Sequence, residues 1–213
     1  MNKINRTYES LLIHILNNGY DYEDPNRKGV KRREVLNYTF RHEFKDGFPA
    51  ITTKKLNYKS VVTELIWFLR SDTNIKYLVD NGCNIWNKDA YNYYLKQIGK
   101  NNEGKYYLEP MGMNTFLERI KDNKNYEKSK VESNNYKLGD LGPVYGHQWV
   151  KWSTNKTTVI GHNGTHNIFG EIVVDQLARL ITNLKEKPLA TDHIVNTCID
   201  EVIDEMTLPP CHY

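Results

Sequence analysis

Between Lys59 and Arg70 the chain is apolar on almost every side: Val61, Val62, Leu65, Ile66, Trp67, Phe68 and Leu69 leave a helix no polar face. A surface helix carries one apolar stripe, whereas a helix that is apolar all round belongs in an interior. The segment therefore predicts a central helix around which the remaining chain folds. Glu64 is the one charge inside it. Burying that charge without a partner costs several kcal/mol. Two readings stay open: a core carboxylate bonded to a backbone group or an arginine, or a carboxylate that reaches a cavity and does chemistry there.

Other segments are also legible. Tyr8, Leu11, Leu12, Ile15 and Leu16 recur at helical spacing, and Gly19 supplies a stop. A polar, basic loop covers 21–33. Residues 35–44 alternate, with Leu36, Tyr38, Phe40 and Phe44 on one side, and predict a half-exposed strand. A short helix is expected over 73–81, ended by Gly82, and a longer one through Val173, Leu177, Leu180, Ile181 and Leu184, ended by Pro188. Residues 153–168 predict a loop or hairpin, and 193–198 and 206–210 predict short extended pieces. The stretch 91–138 is poor in apolar residues and reads as an inserted lobe with one or two weak helices. Together these make a mixed α/β chain of one domain, 1–213, carrying that lobe.

Charge and cysteine content exclude several classes. The chain has 213 residues, with 29 Lys and Arg against 26 Asp and Glu, a net charge of +3. Nucleic-acid-binding domains carry a stronger, clustered basic excess, so no DNA partner is expected. Three cysteines cannot form a complete disulfide framework, which suits a reduced, cytoplasmic chain. No apolar run approaches the ~20 residues that span a bilayer, so no membrane partner is expected.

The chemistry-bearing residues are scattered. Cys211 lies in Pro209-Pro210-Cys211-His212. A thiolate stabilised by a nearby positive charge is a nucleophile, but a Cys-His dipeptide by itself is ordinarily structural. Cys83 and Cys198 read as core thiols. His162 and His166 lie in a Gly/Asn-rich stretch without metal-site spacing, and no metal is expected. Arg27, Lys28, Lys31, Arg32, Arg33 and Arg41 form either a solvated basic loop or an anion clamp, since the arginine fork matches phosphate. Gly139 to Trp149 packs three glycines, a proline and two aromatic residues into a tight turn or shaped wall.

Taken in order, these segments resemble the thymidylate synthase family. The residues that carry the likeness are Arg27-x-Gly29, Asp46-Gly47-Phe48-Pro49 with Thr52-Thr53-Lys54, Glu64 to Leu69, Asp72-Thr73-Asn74-Ile75 and Asn84-Ile85-Trp86. Gly139 to Trp149, Asp175-Gln176-Leu177 and Pro210-Cys211-His212 complete it. The resemblance runs from residue 8 to residue 213. It implies an α+β two-layer fold, a homodimer packed back to back through its sheets, and methylation of dUMP to dTMP. The carbon and a hydride would come from 5,10-methylenetetrahydrofolate, leaving dihydrofolate. By position, Cys211 would add to C6 of the pyrimidine. Glu64 would organise water and protons, Tyr145 and His212 would belong to that network, Arg27 would bind the dUMP phosphate, and Trp86 would pack against the folate.

Departures from the family pattern accompany the match. Thr191-Asp192 stand where two arginines usually reach the partner subunit's phosphate. Asn57 stands at the place of a folate-side histidine, and Lys31 replaces a glycine. Family members continue past the nucleophile with a Gln-Arg-Ser-x-Asp segment and further base- and sugar-binding segments that the 213 residues do not contain. The resulting expectation is a fold incomplete at its C-terminal side and no turnover by these residues alone. The alternatives are a non-catalytic paralogue and a pyrimidine nucleotide hydroxymethylase, which would quench with water.

Overall fold

The computed structural model describes residues 3–23, 29–99, 109–122, 130–131, 136–154, 159–161, 164–166 and 172–197. It is a mixture of helices and short antiparallel strands, the class the sequence predicts. The chain divides into two compact units, residues 1–57 and 58–213.

The first unit opens with α1 (Lys3–Asn18). Its end is closed by Gly19, whose N–H donates to the Ile15 carbonyl at 2.8 Å. A side chain there would meet that carbonyl oxygen at 2.5 Å, so glycine is required. Strands β1 (Tyr20–Glu23) and β2 (Lys31–Glu34) then form an antiparallel hairpin in which Asp21 faces Arg33. The Arg33 guanidinium grips both Asp21 oxygens, at 2.6 and 2.7 Å, and donates to the Leu16 carbonyl at 2.9 Å. This corrects the sequence reading twice. The polar 21–33 segment holds strands, because its charges pair across the hairpin. The alternating run 35–44 is not a strand: Asn37 takes a left-handed φ of 65° that breaks extension, and Leu36, Phe40 and Phe44 remain exposed. A 3-10 turn (Phe44–Asp46) follows. Asn5 then fastens the 52 region, with Nδ2 donating to Thr52 Oγ1 and Oδ1 accepting from Thr52 N–H, both at 2.9 Å.

The second unit is built on α2 (Tyr58–Leu69), α3 (Lys76–Asp80), α4 (Asn87–Gln97) and α5 (Met113–Lys121). Strands β3 (Lys130–Val131) and β4 (Tyr136–Lys137) pair antiparallel. Next come α6 (Tyr145–Val150), β5 (Trp152–Thr154), the β6–β7 hairpin (Val159–Gly161 with Gly164–His166) and β8 (Ile172–Val174). Strand β8 pairs antiparallel with β5 and leads into α7 (Gln176–Glu186). Val173, assigned by spacing to that helix, lies in β8 instead. Asp175 separates the two elements and caps α7, its carboxylate accepting from the Ala178 N–H at 2.8 Å. Residues 193–197 form no strand, and the extended piece expected over 206–210 lies outside the described residues.

One apolar core fills this unit. Trp67, Ile75, Leu78, Leu141 and Val144 share it with Tyr94, Ile98, Phe116, Ile120, Tyr136 and Leu138. The last six fall inside the stretch that reads as an inserted lobe. Its apolar residues are few but spaced four apart, Tyr94 with Ile98 and Phe116 with Ile120, so α4 and α5 each lay a narrow stripe on the core. Helix α2 is less enclosed than its composition predicts. Trp67 is fully buried, yet Val61, Leu65, Ile66 and Leu69 on its other side are exposed. Cys83 is a buried thiol, as expected, and Cys198 lies outside the described residues.

Candidate functional site

The site grows from the contact of α2 with α6. Gly146 makes it possible: a Cβ there would sit 2.4 Å from both the Cα and the carbonyl oxygen of Phe68. The two backbones are therefore in direct contact, and Tyr145, one residue earlier, is brought to the aromatic side chains of α2 and the α3–α4 region. Tyr145 lies edge-on to Phe68, with ring centroids 5.8 Å apart, and to Trp86 at 6.0 Å. Phe68 also meets Trp149 at 5.4 Å, and Trp67 meets Trp86 at 5.4 Å. The edge-to-face pairs among these, Phe68 with Tyr145 and Trp149 and Trp86 with Tyr145, each add ~0.5–1.5 kcal/mol beyond area burial.

Glu64 projects from α2 into this group. The Trp86 indole N–H donates to Glu64 Oε1 at 2.6 Å. A hydrogen bond from a buried donor to a carboxylate contributes ~1.5–3 kcal/mol, enough to hold a charge in the apolar helix. The partner is an indole, not the backbone group or arginine weighed from the sequence. Glu64 stays half-buried, so part of its carboxyl is open to other groups. Trp86 itself is only 3% exposed, its ring enclosed by Trp67, Phe68 and Tyr145. Where the resemblance implies a ring laid against folate, the contact on display is the hydrogen bond to Glu64.

The Gly139–Trp149 segment is a run of tight turns up to Val144, followed by helix α6. Gly139 has a left-handed φ of 87°, and its carbonyl accepts from Ile75 N–H at 3.0 Å. Asp140 accepts from Gly142 N–H at 2.9 Å, and Leu141 N–H donates to the Thr73 carbonyl at 3.0 Å. Asn74 ties these turns down. Its Nδ2 donates to the Leu138 carbonyl at 2.9 Å, and its own carbonyl accepts from the Trp67 indole at 2.8 Å. This frame delivers Val144 into the core and starts α6 at Tyr145.

The structure thus brings together Glu64, Trp86 and Tyr145. Asn57 belongs to the first unit and is exposed. Arg27, Cys211 and His212 lie outside the described residues, as do His162 and the imidazole of His166. Thr191 and Asp192 are exposed. Among the described residues no three His, Cys, Asp or Glu side chains gather as metal ligands, and no helix is long and apolar enough to cross a membrane.

Asn74, Gln148 and Gln176, to which the sequence motifs assign no role, are all buried. Their signal in the sequence is an uncharged amide among residues that pack, where an interior requires polar groups to be bonded.

Comparison with known proteins matches the family model described as thymidylate synthase to residues 6–213. The chain is 35% identical over 207 residues to a thymidylate synthase of Mesoplasma florum, covering 97% of the chain and 59% of that relative. It is 33% identical over 207 residues to one of Phytoplasma mali, with the same 97% and 59% coverage. The chain therefore spans about three fifths of the length of these relatives.

Proposed function

The chain belongs to the thymidylate synthase family, and we propose that the protein it forms converts dUMP to dTMP, with 5,10-methylenetetrahydrofolate as carbon and hydride donor and dihydrofolate as by-product. Cys211, as thiolate, forms the bond to C6 of the pyrimidine. The electron pair moves to the C5 side, making an enolate-like nucleophile that takes the one-carbon unit. Glu64 manages water and protons beside the base and the folate. Tyr145 and His212 belong to the same proton network. Arg27 receives the phosphate, while Trp86 and Asn57 are assigned to the folate side. The protein acts as a homodimer in the cytoplasm, a setting that suits its three cysteines.

The observation that carries this reading is the Trp86–Glu64 hydrogen bond beside Tyr145. Three of the assigned residues, separate in sequence, are linked through Trp86, which bonds the half-buried Glu64 and lies edge-on to Tyr145.

Turnover tests the proposal. Tritium should leave dUMP labelled at C5, with dTMP and dihydrofolate formed in equal amounts, and Cys211→Ser should abolish both. A 5-hydroxymethyl product with no dihydrofolate would identify the hydroxymethylase instead. No tritium release from the wild-type protein would favour the non-catalytic paralogue.

A further inference from the structure

We propose that Gln176 is a positioning residue of this site, fastening the helix that bears Tyr145 to the backbone at Asn196. The inference rests on the catalytic reading above. Gln176 is the first residue of α7 and only 2% exposed. Its Nε2 donates to the Gln148 carbonyl at 2.8 Å and to the Asn196 carbonyl at 2.9 Å. Its Oε1 accepts from the Asn196 N–H at 2.9 Å. Both amide protons and the oxygen are used. Two carbonyls on one side and an N–H on the other allow a single orientation of the amide. Asn196 is bonded through both its backbone groups, as it would be by a neighbouring strand.

The clamp has two ends. Gln148 belongs to α6, and its carbonyl is among the last four, which have no partner within the helix. Asn196 stands fifteen residues before Cys211 in the sequence. Helix α6 has only 6 residues, too few to be stable by its own hydrogen bonds. Its placement depends on tertiary holds: Gly146 against the Phe68 backbone, Trp149 against the Phe68 ring, and Gln176 on the Gln148 carbonyl. Release of the Gln176 hold lets the helix rotate about the Gly146 contact, and the ring of Tyr145, carried on the adjoining residue, turns with it. A misplacement of about 1 Å at a reacting group costs on the order of 100-fold in rate. Asp175, by capping α7, sets where Gln176 begins.

The test uses the full-length protein with Gln176→Met, which keeps the shape and removes every bond, and Gln176→Glu, which keeps an acceptor. Adduct-forming sites are titrated with 5-fluoro-dUMP and methylenetetrahydrofolate, and kcat is expressed per such site. Both variants should lose at least about tenfold in kcat per site while KM for dUMP stays within about threefold. The Gln176→Glu deficit should shrink as pH falls from about 8 to about 6, because a protonated carboxyl regains a donor; a role in shape alone predicts no such recovery. Wild-type kcat per site in either variant, or a fall only in the number of adduct-forming sites, would overturn the proposal. If Gln176→Met does not fold, the pH recovery of Gln176→Glu decides. A wild-type protein that forms no adduct and no product would instead overturn the catalytic reading, and this inference with it.

Discussion

The indole N–H of Trp86 lies 2.6 Å from a carboxylate oxygen of Glu64, two side chains separated by 22 positions in the sequence. That bond lets an otherwise apolar helix carry a charge. Trp86→Phe keeps most of the ring and removes the donor. It should lower stability by at least about 1–3 kcal/mol, the cost of leaving a partly buried carboxylate short of a partner, to which the smaller ring adds lost packing. Urea unfolding followed by circular dichroism measures it. A loss under about 0.5 kcal/mol would mean that water replaces the indole at little cost.

Gly146→Ala places a methyl group 2.4 Å from the Phe68 backbone. Backbone atoms cannot rotate away as a side chain does, so α2 and α6 must separate. The expected destabilisation is about 1–3 kcal/mol, with loss of the near-ultraviolet dichroism of the Tyr145, Phe68 and Trp86 group. Unchanged unfolding and unchanged aromatic dichroism would disprove the close approach.

Phe116→Ala and Ile120→Ala test whether the 91–138 stretch belongs to the main core. Both side chains are fully buried. The first should cost about 3–5 kcal/mol and the second about 2–5 kcal/mol, both in one cooperative transition shared with the rest of the second unit. A separate early transition for this stretch would make it an independent lobe.

Tyr136 supplies a pH dependence. Burial pushes its phenol well above the usual tyrosine range, because the phenolate would be desolvated. Its folded value is raised, so the neutral form is the one the fold favours. The contribution is fully present below about pH 10, the ordinary tyrosine value, and is lost as pH rises beyond it. Wild-type stability should therefore fall above about pH 10, and Tyr136→Phe should fall less steeply in the same range. Parallel curves would show that other groups govern the alkaline limb.

How much of this was legible in the sequence depends on the range of the interactions. Helices α1, α2 and α7 announce themselves by local spacing, which needs no knowledge of partners. The run 35–44 failed because alternation reports a preference for extension, whereas a strand also needs a neighbour to bond. The Asp21–Arg33 pair that builds the real hairpin spans 12 positions and leaves no periodic trace. In the site, Glu64 stands out as a charge among apolar residues, but its bond to Trp86 spans 22 positions and leaves no local trace; the resemblance implies a proton network for Glu64 and Tyr145 and a folate contact for Trp86. Gln176 did not stand out, because a glutamine at the start of a helix is ordinary until its three bonds are seen.

The central claim is that Cys211 is a nucleophile towards a pyrimidine nucleotide. Intact-protein mass spectrometry after incubation with 5-fluoro-dUMP and methylenetetrahydrofolate tests it most directly. The expected result is a covalent ternary adduct on the full-length protein, mapped to the peptide containing Cys211 and absent from Cys211→Ser. An unmodified protein at saturating ligand, or an adduct that survives Cys211→Ser, would contradict it.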